Sequence, residues 1–220
     1  MAETLGQVSY AATRNPFNYD KIEQIARNTS TAWLTTTEID NHLNLFGDVS
    51  QNTYLAGLEL AVRMAVEDFL GMSIFATSYR IYYGVDSLYA SPVCLDLPEV
   101  SQGTTLTNGV TIDSVKYYDG NTPSVLQTIV NTEYYYDVTG NKVILPNGTP
   151  SNISQNRTSP VIVEYTLAAN VLASYPVIKQ AGLLLLTHLY NNRSDTVTGG
   201  LQSIPFGFYT LLRPYKPLVM

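Results

Sequence analysis

The side chains that most often carry out chemistry are few and widely spaced in this 220-residue sequence. The two histidines, His42 and His188, lack a carboxylate or thiol three or four residues further along, the spacing that places two metal ligands on one helix face. The single cysteine, Cys94, lies in the alternating stretch Pro92–Leu97 and is interpreted as a small core residue. A Cys/His nucleophile pair would require a contact that only the fold can make, so the sequence does not predict one.

Three aspartates, Asp113, Asp119 and Asp137, are the candidates for an acid/base couple. Asp119 and Asp137 fall at predicted strand ends or turns, where aspartate is common because its side chain hydrogen-bonds nearby backbone. The sequence also lacks a phosphate-binding loop, a dinucleotide fingerprint and a G-x-S-x-G nucleophile elbow. We therefore expect a protein that is not an enzyme and has no metal site and no cofactor.

Charged residues make up only 14% of the chain, and the net charge is -6. An acidic chain gains nothing from the counterion release that drives binding to phosphate backbones, so we expect no specific binding to DNA. The longest apolar stretch, Ala181–Leu186, is far shorter than the roughly 20 residues that cross a bilayer. The N-terminus shows no signal-peptide pattern, and we expect a protein that is made in the cytosol and does not bind membranes.

The first predicted helix begins after Thr35. Thr35 and Glu38 fit a capping box, in which each side chain accepts a hydrogen bond from the other residue's backbone N–H. The apolar residues that follow at helical spacing are Ile39, Leu43 and Phe46. We expect Gly47 to end this helix. Residues 1–34 lack clear periodicity and are interpreted as an N-terminal arm, with a short helix around Asp20–Arg27.

A longer second helix is predicted from about Asn52 to Gly71, where glycine suits the C-terminal stop. Its apolar stripe consists of Leu55, Leu58, Val62, Val66 and Phe69. Glu59, Arg63 and Glu67 are spaced four residues apart, which is typical of ion pairs along an exposed helix face. We therefore place these three charges away from the apolar stripe.

The apolar period changes to two over the middle of the chain. The predicted strands are Thr77–Tyr83, Val93–Leu97, Val110–Tyr118, Tyr134–Val138, Lys142–Leu145 and Val161–Thr166. Asp119-Gly120 and Gly140-Asn141 are turn signals, and Pro146–Pro160 is predicted to be an exposed loop. A final long helix is predicted from Pro176, which suits a first helical turn, to about Asn191.

The predicted fold class is α+β, a small helical bundle with an inserted antiparallel β-region and an extended C-terminal tail. The predicted domain organisation is an N-terminal arm over 1–34, a helical bundle over 35–75 and 167–203, an inserted β-region over 76–166 and a C-terminal docking tail over 204–220.

The C-terminal segment is rich in proline, aromatic and leucine residues, and so apolar a segment must be buried somewhere. It either folds back on the core of its own chain or inserts against another chain. The candidate contact residues are Pro205, Phe206, Phe208, Tyr209, Leu211, Leu212, Arg213, Pro214 and Tyr215.

Tyrosine is abundant, with 17 residues, several of them in runs such as Tyr134-Tyr135-Tyr136. Strand propensity explains such runs. A protein–protein surface is the functional alternative, because tyrosine is enriched at interfaces. A sugar-binding platform is a third interpretation, although polar partners for a glycan are sparse.

The order of these elements resembles the head–tail connector (adaptor) family of tailed bacteriophages. The stretches that carry the resemblance are Leu34–Leu43, Leu58–Gly71, Pro176–Arg193, Ile204–Phe208 with Leu211–Tyr215, and the strand Val115–Asp119 before an Asp-Gly turn. Pro-Phe-Gly followed by Leu-Leu-Arg-Pro-Tyr is the most specific of them. The resemblance covers residues 34 to 216, and the first 30 or so residues have no counterpart.

The resemblance implies a structural virion protein without enzymatic activity. Such an adaptor forms a ring, usually dodecameric, that joins the portal to the stopper or tail proteins in the phage neck and lines the DNA channel. The candidate contact residues would then face the portal or a neighbouring subunit. The chain would assemble in the host cytoplasm, and a subunit lacking Ile204–Met220 is expected to fold but not to join a portal.

Three alternatives remain open at the level of the sequence. The chain could be another tail-completion or tail component, which would not bind the portal. It could be a tyrosine-rich glycan-binding module. It could also be an enzyme that uses Cys94 or a histidine, although no substrate is indicated.

Overall fold

Residues 18–84, 88, 92–98, 109–192 and 206–216 are described by a computed structural model of the chain. The helices are α1 (Thr36–Leu43), α2 (Asn52–Leu70), α3 (Pro176–Asn191) and α4 (Phe206–Leu212). The strands are β1 (Lys21–Arg27), β2 (Thr77–Tyr83), β3 (Val93–Asp96), β4 (Val110–Tyr118), β5 (Leu126–Ile129), β6 (Tyr135–Asp137), β7 (Lys142–Leu145) and β8 (Val161–Leu167). The predicted α+β class is confirmed.

The chain divides into two compact units. The β unit contains the described residues 18–26, 77–84, 88, 92–98 and 109–167, and the helical unit contains 27–76, 168–192 and 206–216. Each unit has its own core of buried apolar side chains.

The β unit contains a five-stranded sheet in the order β1-β2-β8-β4-β5 and a three-stranded sheet in the order β3-β7-β6. In the larger sheet β8 lies antiparallel to both β2 and β4, with Thr77 opposite Leu167 and Tyr83 opposite Val161. Alternate residues of β2 are buried, as expected for a strand with one face against a core. The predicted strands match the observed ones to within one residue at each end.

Two strands, β1 and β5, were not predicted. The short helix expected around Asp20–Arg27 is wrong, because Lys21–Arg27 form β1 at one edge of the larger sheet. Ile22 and Ile25, three residues apart, are 41% and 42% exposed, so their helix-like spacing does not mark a buried face. Leu126–Ile129 form β5 at the opposite edge.

Local signals fix the ends of the helices in the helical unit. The capping box of Thr35 and Glu38 is confirmed, with both reciprocal hydrogen bonds present. The predicted end at Gly47 is wrong, since α1 ends at Leu43 and Asn44 takes the left-handed conformation with φ 56°. Gly71 ends α2 with φ 67°, as expected, because glycine adopts this conformation without steric cost.

Three of the charged residues of α2 are buried, contrary to the exposed helix face that their spacing suggests. Glu59, Arg63 and Glu67 are only 4%, 1% and 6% exposed. A helix whose apolar and charged faces are both buried must supply hydrogen-bond partners for every charge, because an unpaired buried charge is costly.

Backbone groups of neighbouring segments supply these partners. The Glu59 carboxylate accepts hydrogen bonds from the backbone N–H groups of Trp33, at 2.8 Å, and Leu34, at 3.3 Å. The Arg63 guanidinium donates to the carbonyl oxygens of Thr31, at 2.7 Å, and Asn28, at 2.8 Å. The charges of α2 therefore hold the segment that leads into α1.

Glu67 is the third buried charged residue of α2, after Glu59 and Arg63. One carboxylate oxygen forms an ion pair with Arg27, and the other accepts the backbone N–H of Ile74 at 2.8 Å. Burial lowers the pKa of Arg63, and the neighbouring Glu59 charge opposes this effect. The guanidinium of Arg63 also lies 4.9 Å from the centre of the Phe75 ring.

Candidate protein–protein interface

The C-terminal segment is helical over Phe206–Leu212 rather than extended, and it continues as a 3₁₀ turn over Arg213–Tyr215. Phe208 and Leu212 are one helical turn apart, are 3% and 0% exposed, and lie in the core of the helical unit. The centre of the Phe69 ring is 6.0 Å from that of Phe208 and 5.2 Å from that of Tyr209. The spacing of its apolar residues lets the segment fold back on its own chain.

This folding divides the predicted contact residues into two groups. Phe208 and Leu212 are core residues and cannot reach a partner while the helical unit is folded. Tyr209, Arg213 and Pro214 are exposed, and Leu211 and Tyr215 are partly buried. Pro205 and the side chain of Phe206 lie outside the described residues.

The exposed end of this segment lies beside the start of α3. The rings of Tyr175 and Tyr215 meet edge to face, with centres 5.8 Å apart. Tyr175 and Val177 are 40% and 37% exposed. Arg213 is exposed and has no ion-pair partner among the described residues. We call Tyr175, Val177, Tyr215 and Arg213 the basic patch.

A second apolar feature lies in the loop between α1 and α2. Phe46 is 96% exposed and Val49 is 72% exposed. Backbone hydrogen bonds from Leu45 to Asp40 and from Asp48 to Leu45, both 3.1 Å, shape this loop. A further hydrogen bond from the Ser50 N–H to the Asp48 carboxylate, at 2.9 Å, holds its second half.

Phe46 also has an unfavourable backbone conformation. Its φ is 54°, a left-handed value that a bulky side chain rarely adopts. The apolar spacing of α1 placed Phe46 on the buried face of that helix, but α1 ends three residues earlier and Phe46 points into solvent. The Gly47 that follows is the sequence signal that Phe46 lies in a turn, because glycine marks a turn rather than a continuing helix.

Two aspartates belong to the same part of the chain as Phe46: Asp40 beside it in a groove, and Asp48 two residues further along. A groove of about 340 Å³ is lined by Phe46 and Asp40, among others. Oδ1 of Asp40 is buried, and it has no hydrogen-bond partner among the described residues. Hydrogen bonds from Ser50 lower the pKa of Asp48, so Asp48 is ionised at neutral pH. We call Phe46, Val49, Asp40 and Asp48 the acidic knob.

The side chains first considered for catalysis lie on different elements. Cys94 is half-buried on β3 of the β unit, whereas His42 and His188 are half-buried on α1 and α3 of the helical unit. Within the described part of the chain, no group of three or more His, Cys, Asp or Glu side chains is placed to hold a metal ion. Asp119 serves a turn, since its carboxylate accepts the backbone N–H of Val125 at 2.8 Å.

The outer face of the five-stranded sheet has a charged centre at Glu164. Its carboxylate meets the Arg80 guanidinium at 2.7 Å and the Lys116 ammonium at 2.6 Å, and the Ser114 hydroxyl donates to it at 2.8 Å. Burial alone would raise the pKa of Glu164, but these hydrogen bonds outweigh burial and lower the pKa from 4.5 to about 2. This face is therefore a satisfied polar surface rather than an apolar one.

The tyrosine runs divide between the two faces of the sheet. Tyr83 is buried, and its hydroxyl donates to the Asp96 carbonyl oxygen at 2.7 Å, whereas Tyr82 faces outward and donates to Glu23 at 2.8 Å. On the outer face, the Arg157 guanidinium lies 3.6 Å from the centre of the Tyr118 ring.

Among the described residues, no helix is both long and apolar enough to cross a bilayer.

Comparisons with known proteins yield matches among solved structures. No known protein family and no curated protein matches the sequence. The fold is similar to that of a chain in the neck of an empty gene transfer agent particle, determined with C6 symmetry, with a TM-score of 0.63, 18% identity, and coverage of 91% of this chain and 97% of that one.

Two further structures agree. A chain in the virion of a native gene transfer agent particle gives a TM-score of 0.63 at 17% identity, and a chain in the neck of the native particle, determined with C12 symmetry, gives 0.61 at 17%. Both matches cover 91% of this chain and 97% of the other. At this level of identity, the comparison establishes that the folds are shared.

Proposed function

We propose that this chain is a structural virion protein, an adaptor ring subunit that joins the portal to the tail or stopper in the neck of a phage or phage-like particle. The observation that carries the proposal is the fold shared with chains of gene transfer agent necks over 91% of this chain.

A ring is the natural assembly for such a subunit. The similar neck chains come from particles determined with C6 and C12 symmetry, and head-to-tail contacts between identical subunits form a ring when the rotation between copies closes. Twelve copies around the channel would follow the C12 case. A net charge of -6 per subunit suits a channel that lets DNA slide, because like charges repel and nothing grips the phosphates.

The exposed residues of the C-terminal segment are proposed to contact the portal or a neighbouring subunit. Tyr209, Arg213 and Pro214 remain accessible after the segment folds. Phe208 and Leu212 are removed from the proposed contact set, because they fill the core. A subunit lacking Ile204–Met220 would lose both core residues and is now expected to unfold, so that deletion cannot test docking.

Cryo-electron microscopy of the particle neck tests the proposal directly. We expect twelvefold density of this fold immediately below the portal. Particles made without the chain should accumulate as DNA-filled heads that carry no tails, because the joining ring is missing. Density for the chain elsewhere in the tail, or its absence from purified particles, would refute the adaptor role.

A further inference from the structure

We propose that the acidic knob of one copy packs against the basic patch of the next copy, and that this contact closes the ring. The inference rests on the proposed function, because it names the surfaces by which ring subunits meet. Both surfaces belong to the helical unit, and they lie on different elements: the knob on the α1–α2 loop, and the patch on the start of α3 and the C-terminal turn.

The knob is costly for an isolated subunit. A phenylalanine that is 96% exposed gains nothing from burial, and its left-handed backbone adds strain. The loop is nevertheless held in one shape by the hydrogen bonds of Leu45, Asp48 and Ser50. A rigid loop that presents an aromatic and an aliphatic side chain has the character of an interface anchor, which gains its burial energy on association.

Charge complementarity selects the partner surface. The knob carries the exposed carboxylate of Asp48, and Asp40 lines the groove beside Phe46. The patch carries Arg213, which has no ion-pair partner among them, and a guanidinium matches a carboxylate with paired donors. In a chain with a net charge of -6, electrostatic attraction between two copies requires that opposite charges be brought together locally.

The apolar parts of the two surfaces also match. The knob offers Phe46 and Val49, and the patch offers the edge-to-face pair Tyr175 and Tyr215 with Val177 beside it. A knob that meets a different surface on the next copy forms a head-to-tail contact. Such a contact repeats from copy to copy and cannot form a two-fold dimer, and it gives a ring when the rotation between neighbouring copies closes.

A charge-swap experiment tests the contact in assembled particles. Phe46→Lys places a cation against the basic patch, and Arg213→Glu places an anion against the acidic knob. Each variant alone should lose at least about thirtyfold in subunit association, as interface anchors do, and should be depleted from particle necks. Co-expression of the two variants should restore incorporation when the two variants alternate around the ring. The introduced lysine of one copy then meets the introduced glutamate of the next, and the contacts between these pairs are native.

Met64→Lys is the matched control, since Met64 is a 38% exposed apolar residue of the same unit outside both surfaces. It should enter particles at the wild-type level, and the fluorescence of Trp33 should confirm that all variants are folded. Wild-type incorporation of folded Phe46→Lys, or a mixture that assembles no better than its components, would overturn the proposal.

Cross-linking distinguishes failure of this inference from failure of the proposed function. In a Cys94→Ser background, Val49→Cys combined with Val177→Cys should give a ladder of covalent oligomers on oxidation of purified particles. Val49→Cys combined with Met64→Cys should give none. Particles that contain the chain in the neck but show no ladder refute the inference alone, whereas particles that lack the chain refute the adaptor role.

Discussion

Glu59 offers the sharpest test of how the helical unit is held together. It is 4% exposed, and its Oε1 accepts the backbone N–H groups of Trp33 at 2.8 Å and Leu34 at 3.3 Å. Both donors belong to buried residues, so water does not replace a lost acceptor. Two substitutions separate the effects of charge and hydrogen bonding: Glu59→Gln keeps an acceptor oxygen without the charge, and Glu59→Leu removes both.

The expected magnitudes follow from these contacts. An unsatisfied buried donor costs about 1–3 kcal/mol, and the Trp33 bond is the better formed of the two. Two orphaned donors cost about 2–4 kcal/mol, and the apolar burial of leucine offsets part of this. We expect Glu59→Gln to lower the free energy of unfolding by about 1–2 kcal/mol, and Glu59→Leu by about 2 kcal/mol more.

Urea denaturation monitored by tryptophan fluorescence measures this directly. Trp33 is the single tryptophan of the chain and lies in the core of the helical unit, and its backbone N–H donates a hydrogen bond to Glu59. Its emission therefore reports unfolding at the site of the perturbation. Glu133→Leu and Glu133→Gln are matched controls at an exposed position, and both should stay within about 0.5 kcal/mol of the wild type.

The difference between the two Glu59 variants is the decisive quantity, because both lack the charge. If leucine and glutamine have the same unfolding free energy within about 0.5 kcal/mol, the two backbone N–H groups do not depend on this acceptor. The explanation of the buried charges of α2 as partners for backbone would then be wrong.

The remaining predictions concern Glu164 and Gly182. The folded pKa of Glu164 lies near 2, below its usual 4.5, so its stabilising contribution is present above pH 4.5 and is lost as the pH falls toward 2. Acid titration of the unfolding free energy should show this loss in the wild type and a flatter profile in Glu164→Gln. In Gly182→Ala, the added Cβ would lie 2.7 Å from Cζ3 of Trp33, so we expect about 1–3 kcal/mol of destabilisation in urea and an altered Trp33 emission.

Local signals explain which elements the sequence predicts well. Strands β2, β4 and β7 were predicted with their observed bounds. In β2 buried and partly buried residues alternate strictly, the pattern of a strand with one face against a core. The helix starting at Pro176 was likewise predicted, since proline at the first turn loses no hydrogen bond. These are features in which each residue's neighbours in sequence determine its environment.

The misjudged features depend on residues distant in sequence. The charges of α2 have the spacing of surface ion pairs, yet segments 28–34 and 74–75 cover them, and no helix pattern reveals that cover. Strand β1 exists because β2 offers an edge, not because of its own alternation. Phe46 has the spacing of a core residue, but its environment was decided by the end of α1 at Leu43.

The basic residues differ in whether they have a partner within their own unit. Lys116 and Arg80 meet Glu164, Lys179 meets Glu38, and Arg63 satisfies backbone carbonyls, so each contributes to the fold of its own unit. Arg213 is different, because it is exposed and has no ion-pair partner among the described residues. A solvated cation adds nothing to folding, just as the exposed Phe46 adds nothing to the core. Stability within the subunit accounts for neither residue, whereas the proposed contact between copies would give both of them a partner.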